Sequence, residues 1–282
     1  MACNCLLDIH PGMRNAKVIK LTQERLCSIF EQELERDPKI LAEAGEILGW
    51  LGDPRDLKEF IKIEGGKYDL EGLDMVNIAP FEICKYPVTN QWYKEFIDSK
   101  GYETPEYWST QGQKWLEQQL EKFSQYWHER TWKCPNSPVV GVSWYEAGAF
   151  CSWLTKTGKD GYIYCLPDEK KWQAAAAGFD KREYPWDKGW DKMRCNNFEI
   201  GLQKTTPVGI FKKGDTPEGI SDMAGNVSEW TDSWYEEEKY RVVRGGSWRY
   251  GGNDCRCSFR NRYFPDFRFI YVGFRCARTL KL

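Results

Sequence analysis

Eleven cysteines and two histidines bound the metal and redox chemistry open to this chain of 282 residues. The cysteines stand at 3, 5, 27, 84, 134, 151, 165, 195, 255, 257 and 276 without a repeated CxxC spacing, and neither His10 nor His128 falls in a ligand motif. A zinc site is therefore not expected. Cys84, Cys151, Cys165 and Cys276 lie inside apolar patterns, where a reduced, buried thiol is the simpler reading. Cys255 and Cys257 stand two apart, and on an extended strand both would face one side. Around them the chemistry changes. From Arg249 to Tyr271 there is no Lys, Glu, Gln, Trp or Met, although these make up 78 of the 282 residues and about six would be expected in such a window. No codon ending in cytosine encodes any of the five absent types, whereas every type present has one, the imprint of adenine-directed change at AAC codons. Seven of the twenty-three residues are Tyr or Phe. Aromatic rings give large contact area with few rotatable bonds, while Ser, Asn, Gly and Asp adapt hydrogen bonds, the division of labour found in antibody loops.

The formal charge of -2 offers no basic stripe to displace counterions from phosphates, so no nucleic-acid partner is expected. No stretch reaches the roughly twenty apolar residues of a membrane span, and the N-terminus lacks a charged-then-apolar signal. The chain reads as soluble as written, with a cell-surface lipoprotein the alternative if a signal ahead of Cys3 has been removed. With 14 Trp, 15 Tyr and 14 Phe, long connections are expected to be pinned by large rings.

The elements that would position the C-terminal segment follow from periodicity and caps. Apolar spacing predicts helices over Leu21 to Phe30 and Lys39 to Leu51, the second started by Asp37-Pro38 and stopped by Gly52-Asp53-Pro54. They read as a helical appendage over 1–58, ahead of a main domain over 59–282. Met75 to Ile78 and Phe81 to Thr89 read as strands, and Thr89 caps a helix to Ser99. The polar, Gln-rich stretch from Glu106 to Trp132 reads as an insertion with a short helix around Trp115 to Trp127. Ser143 caps a helix with Ala147, Phe150, Cys151 and Leu154 on its apolar face, and a helix from Asp168 ends at Gly178. The rest reads as loop and strand, including Arg241 to Arg244.

The order of motifs resembles the formylglycine-generating-enzyme type of C-type lectin fold. It runs through Lys85-Tyr-Pro-Val-Thr-Asn90, Val140-Gly-Val-Ser-Trp144, Leu166-Pro-Asp-Glu169 with Trp172, Tyr184-Pro-Trp186, Met223-Ala-Gly-Asn-Val-Ser-Glu-Trp230, Arg244-Gly-Gly-Ser-Trp248 and Gly273-Phe-Arg275. The resemblance covers about four-fifths of the chain. It implies an α+β body with a small, twisted antiparallel sheet, two main helices and much irregular backbone. In the oxygen-using enzymes of the family, two Cys five apart after the Gly-Gly-Ser motif bind copper through soft thiolates. Here Arg249 to Asp254 stand in that place, and Cys255 and Cys257 do not reproduce the pair. The iron-dependent relatives need several His, which this chain lacks. The same resemblance implies oxygen ligands for a structural calcium at Asn226 and Glu229, beside a plain turn role for the two side chains. No cofactor is required.

The segment 249–271 is further similar to the variable region of diversity-generating retroelement proteins, the spirochaete variable proteins above all. That likeness implies fixed scaffold at Arg244, Gly245, Gly246, Ser247, Trp248, Arg260, Pro265, Gly273, Phe274 and Arg275. Displayed positions would be Tyr250, Gly251, Gly252, Asn253, Asp254, Ser258, Phe259, Asn261, Tyr263, Phe264, Phe267, Phe269, Ile270 and Tyr271. A competing reading turns Phe267, Phe269 and Tyr271 inward as core. The expectation is a non-enzymatic, receptor-like protein whose partner is a protein, on another cell surface for instance. A formylglycine-generating-enzyme-like oxidoreductase, or a degenerate homologue acting on a cysteine-containing peptide, is the alternative.

Overall fold

Asp37 starts a helix as expected: its carboxylate accepts the Lys39 N–H while Pro38 takes the first helical position, where no N–H is needed. The computed structural model describes residues 4–10, 12, 15–31, 37–187 and 189–281, so Cys3 lies outside the described residues. Three helices lead, α1 (Asn4–Asp8), α2 (Ala16–Glu31) and α3 (Pro38–Leu51). Leu26 and Phe30 of α2 pack on Ile47 and Leu48 of α3, and that cluster closes against Ile210 and Phe211 of the body. No helix among the described residues is long and apolar enough to cross a membrane.

Strands β1 (Phe60–Ile63), β2 (Gly66–Leu70), β3 (Asp74–Ile78) and β4 (Phe81–Cys84) precede α4 (Asn90–Asp98), α5 (Thr110–Glu117) and α6 (Trp144–Thr157). Then come β5 (Tyr162–Cys165), α7 (Glu169–Ala177), β6 (Ser228–Glu236), β7 (Tyr240–Arg244), β8 (Arg260–Tyr263), β9 (Val272–Phe274) and β10 (Ala277–Leu280). The three caps read from sequence are in place: Thr89 accepts from Trp92 N–H, Ser143 from Glu146 N–H and Asp168 from Lys171 N–H. Gly178 ends α7 at φ 62°, a backbone angle that suits glycine. The helix expected around Trp115 to Trp127 lies earlier, because Ser109 caps it by accepting from Gly112 N–H and it stops at Glu117.

The body is α+β, with a sheet in the order β1-β4-β10-β5, the hairpin β2-β3, and a sheet in the order β8-β7-β6-β9. Pairing is antiparallel, as expected, except between β6 and β9, which run parallel. That pairing carries the Gly273-Phe-Arg275 motif alongside Ser228 to Trp230. Phe274 and Trp230 then enter the main core with Trp92, Tyr93, Phe96 and Phe150, a cluster of interlocked rings.

Candidate functional site

Edge strand β8 sorts its side chains by alternation. Arg260 and Arg262 lie over Tyr235 of β6, 4.5 and 4.4 Å from the ring centre. Tyr263 turns the other way and meets Trp230 edge-on at 6.3 Å. From Tyr263 the rings form a connected row. Tyr263 meets Phe269 at 4.8 Å; Phe269 stacks on Tyr271 at 5.1 Å and touches Phe267 at 5.4 Å. Phe267 meets Phe264 at 5.2 Å, and Phe264 meets Tyr240 at 4.5 Å. Tyr250 closes the other end, its hydroxyl 2.9 Å from that of Tyr263 and its ring edge-on to Tyr271. Burial pushes both of these hydroxyls above the usual tyrosine range, so they stay neutral.

Exposure falls along the row. Phe267 and Phe264 are 40% and 38% exposed, Phe269 is half-buried, and Tyr271 keeps only 9%. The inward reading thus holds for Tyr271 and not for Phe267. Asn253 is exposed, while Gly251, Asp254, Ser258, Phe259, Asn261 and Ile270 are half-buried at the surface. Gly252 is crowded. A Cβ there would sit 2.6 Å from Trp190, which is held in a cluster with Tyr184 and Trp186, so the position is closed to side chains unless that ring moves.

The backbone of this segment is held from outside it. Trp144 N–H donates to the Pro265 carbonyl, Gly141 N–H to that of Phe269, and Ser228 N–H to that of Tyr271, at 2.8 to 2.9 Å. Every residue type owns a carbonyl, so these bonds are indifferent to the side chain displayed. One arginine of the segment is anchored beneath the rings. Arg268 sets Nε and Nη2 2.8 Å from the two carboxylate oxygens of Glu146, with the Trp115 ring 4.5 Å away. Glu146, fully buried, also accepts from the Ser143 N–H and hydroxyl and from the Tyr102 hydroxyl. Arg268 was missing from the fixed set read from sequence. Its signal was there: Ser143-Trp-Tyr-Glu146 is a capping box, which buries a carboxylate at the base of α6.

The residues with metal-ligand chemistry are taken up differently. Cys255 ends a short 3-10 turn and packs with Cys195 and Tyr184, whereas Cys257 joins the cluster around Trp172. The expectation that both face one side fails because the chain is not an extended strand there. Burial pushes the Cys257 thiol up to about 12, so it stays protonated. Cys84, Cys151 and Cys276 are buried free thiols and Cys165 a half-buried one, with the sulfurs of Cys151 and Cys276 3.7 Å apart. Glu229 does not fit a calcium ligand in this arrangement. Its oxygens lie 2.7 Å from Nε and Nη2 of Arg275, and Trp172 Nε1–H donates to one of them. Asn226 is likewise spent locally, accepting from Thr206 N–H and donating to the Thr206 carbonyl at φ 58°.

The family description "Sulfatase-modifying factor enzyme 1-like domain" matches residues 51–280. Hercynine oxygenase of Mycolicibacterium smegmatis is 30% identical over 240 residues, 72% of this chain and 54% of that protein. Inactive C-alpha-formylglycine-generating enzyme 2 of Mus musculus is 30% identical over 245 residues, 72% of this chain and 77% of that protein. The chain spans about two fifths to about half the length of several curated relatives it matches, 38%, 39% and 54% among them. Among solved structures, Treponema denticola variable protein 1 shares the fold with a TM-score of 0.56 at 19% identity, over 77% of this chain and 94% of that one.

Proposed function

The chain belongs to the sulfatase-modifying factor enzyme 1-like family, and from that premise we propose that it is a non-enzymatic, receptor-like protein whose surface over 249–271 is varied by a diversity-generating retroelement to bind protein ligands. The observation that carries this reading is the row of rings from Tyr250 to Phe264, set on a backbone held through carbonyls by Trp144, Gly141 and Ser228. Side chains can change there without loss of the bonds that hold the loop. An exposed aromatic patch with a polar rim commonly marks a protein-binding surface. The depletion of Lys, Glu, Gln, Trp and Met over the same residues supports variation by the codon route. The fold neighbour in Treponema denticola is itself named a variable protein, in keeping with this use of the fold.

Relatives with oxygenase names keep the enzymatic alternative in the family, but here the two thiols closest to the expected copper position belong to separate core clusters. Changing both Cys255→Ser and Cys257→Ser is expected to leave ligand binding largely intact. Loss of a measurable oxidation of a cysteine peptide on that double change would favour chemistry instead. The decisive test is the encoding DNA. Variation by a retroelement requires a nearby near-copy of the segment, differing only where the copy has adenine, beside a reverse-transcriptase gene; a locus without them overturns the proposal.

A further inference from the structure

The insertion over 106–132, unassigned by its sequence, returns to the display surface. Residues 118–121 with Gln125 on one side, and 266–269 on the other, line a groove of about 620 Å³. Gly141 fixes their spacing: its carbonyl accepts the Gln125 N–H while its own N–H donates to the Phe269 carbonyl, both at 2.9 Å. At φ +68° and with Tyr126 pressed against it, that residue has no room for a Cβ. The groove is therefore built into the fold. One wall presents Phe267, Phe269 and the Asp266 carboxylate; the other presents Glu121, Gln amides and Leu120, whose side chain is fully exposed. Glu121 and Asp266 have no ion-pair partner among the described residues. The cation in the lining, Arg268, is neutralised by Glu146. Two aromatic rings and two carboxylates without ion-pair partners in one lining favour a cation through ring quadrupole and charge.

We propose that this groove receives an extended segment of the protein ligand that carries a Lys or Arg side chain, with Gln118 to Glu121 and Gln125 as the constant wall and Phe267 and Phe269 as the variable part of the other. The inference rests on the display reading of 249–271 and gives that reading a partner chemistry. The ligand's cation lies over Phe267 and Phe269 between Glu121 and Asp266, and the Gln118 and Gln125 amides meet its backbone. Leu120 is then covered by the ligand.

Titration of the full chain with N-acetylated (Gly-Lys)3 and (Gly-Glu)3 peptides, followed calorimetrically at low salt, tests it. The lysine peptide is expected to bind at least about tenfold more tightly than its glutamate counterpart. Glu121→Gln with Asp266→Asn should remove that preference, Leu120→Ser should weaken binding, and Glu237→Gln with Glu238→Gln, elsewhere on the surface, should change nothing. All of these side chains are exposed, so the variants are expected to melt like the parent. Equal binding of the two peptides, or a preference equally sensitive to the Glu237 and Glu238 changes, overturns the groove assignment. The search for an adenine-marked template does not involve the groove, so finding the template while the peptides fail would sink this inference alone.

Discussion

The two faces of the β8-β7-β6-β9 sheet are built on opposite terms. On the face toward α7, Glu229 and Arg275 form an ion pair with no exposed surface. The Arg275 guanidinium also donates to the carbonyls of Cys84, Lys85, Ser221 and Asp222. Arg244 donates to the Cys257 and Ser258 carbonyls, and Arg260 to Glu169. The Glu229–Arg275 pair is held in one geometry, and substituting either partner strands a buried charge, whereas the buried Nε atoms of Arg244 and Arg260 have no hydrogen-bond partner among the described residues. The ring row on the other side, Tyr263 through Phe264, is joined by contacts that any bulky apolar side chain can approximate. Of the motifs Gly273-Phe-Arg275 and Met223 to Trp230, Glu229 and Arg275 belong to the first face, while Trp230 and Phe274 turn into the apolar main core.

Removing one partner of the fixed pair is the strongest way to test the contrast. Glu229→Gln or Arg275→Met is expected to cost about 3–5 kcal/mol, because the remaining charge is buried alone, and should be visible as a lower denaturant midpoint. A loss under about 1 kcal/mol would remove the contrast.

The fixed face also has a pH signature. Asp222, held at φ 56° with a carboxylate oxygen 2.7 Å from Gly209 N–H, has its pKa raised to about 6, by burial first and then by Asp215 and Glu229 against the opposing pull of Arg275. A raised carboxylate pKa favours the protonated form in the folded state. Its stabilising contribution is present below the unfolded value near 4 and is lost as pH rises through about 6. Asp222→Asn should therefore gain on the parent by up to roughly 3 kcal/mol as pH climbs across that window, read as melting temperature against pH. A constant difference between the two proteins would show that Asp222 does not titrate this way.

Arg268→Ala, which undoes the anchor beneath the rings, should cost about 2 kcal/mol, less than the first pair because Glu146 keeps the Ser143 and Tyr102 donors. The smallest effect belongs to the display itself: Phe267→Ser should change stability by under about 1 kcal/mol while abolishing binding of any ligand selected against this surface. Large destabilisation by Phe267→Ser would place that ring in the core after all.

What sequence made legible was local. Thr89, Ser143, Asp168 and Gly178 were readable because a cap is decided within one turn of chain, and the segment 249–271 stood out because its composition is peculiar. The helix at Thr110–Glu117 begins earlier than read because Ser109 caps it, a local signal the reading passed over. The parallel pairing of β6 with β9, the Arg268–Glu146 pair and the divergence of Cys255 from Cys257 were not legible. Each joins or separates residues through contacts set by the whole fold, as with the 122 positions between Glu146 and Arg268. The crowding at Gly252 was not legible for the same reason, since only the fold brings Trp190 over it.

The carbonyl-held frame has a consequence at the scale of populations of sequences. Where two displayed residues touch neither each other nor a common neighbour, their effects on folding should add, so the share of random variants that fold falls gently with the number of sites changed. Epistasis should concentrate in the ring contacts Phe264–Phe267–Phe269–Tyr271, where a change at one position alters what the next tolerates. A repertoire drawn on this surface is thus broad and nearly free at its rim, and narrower and correlated along the row.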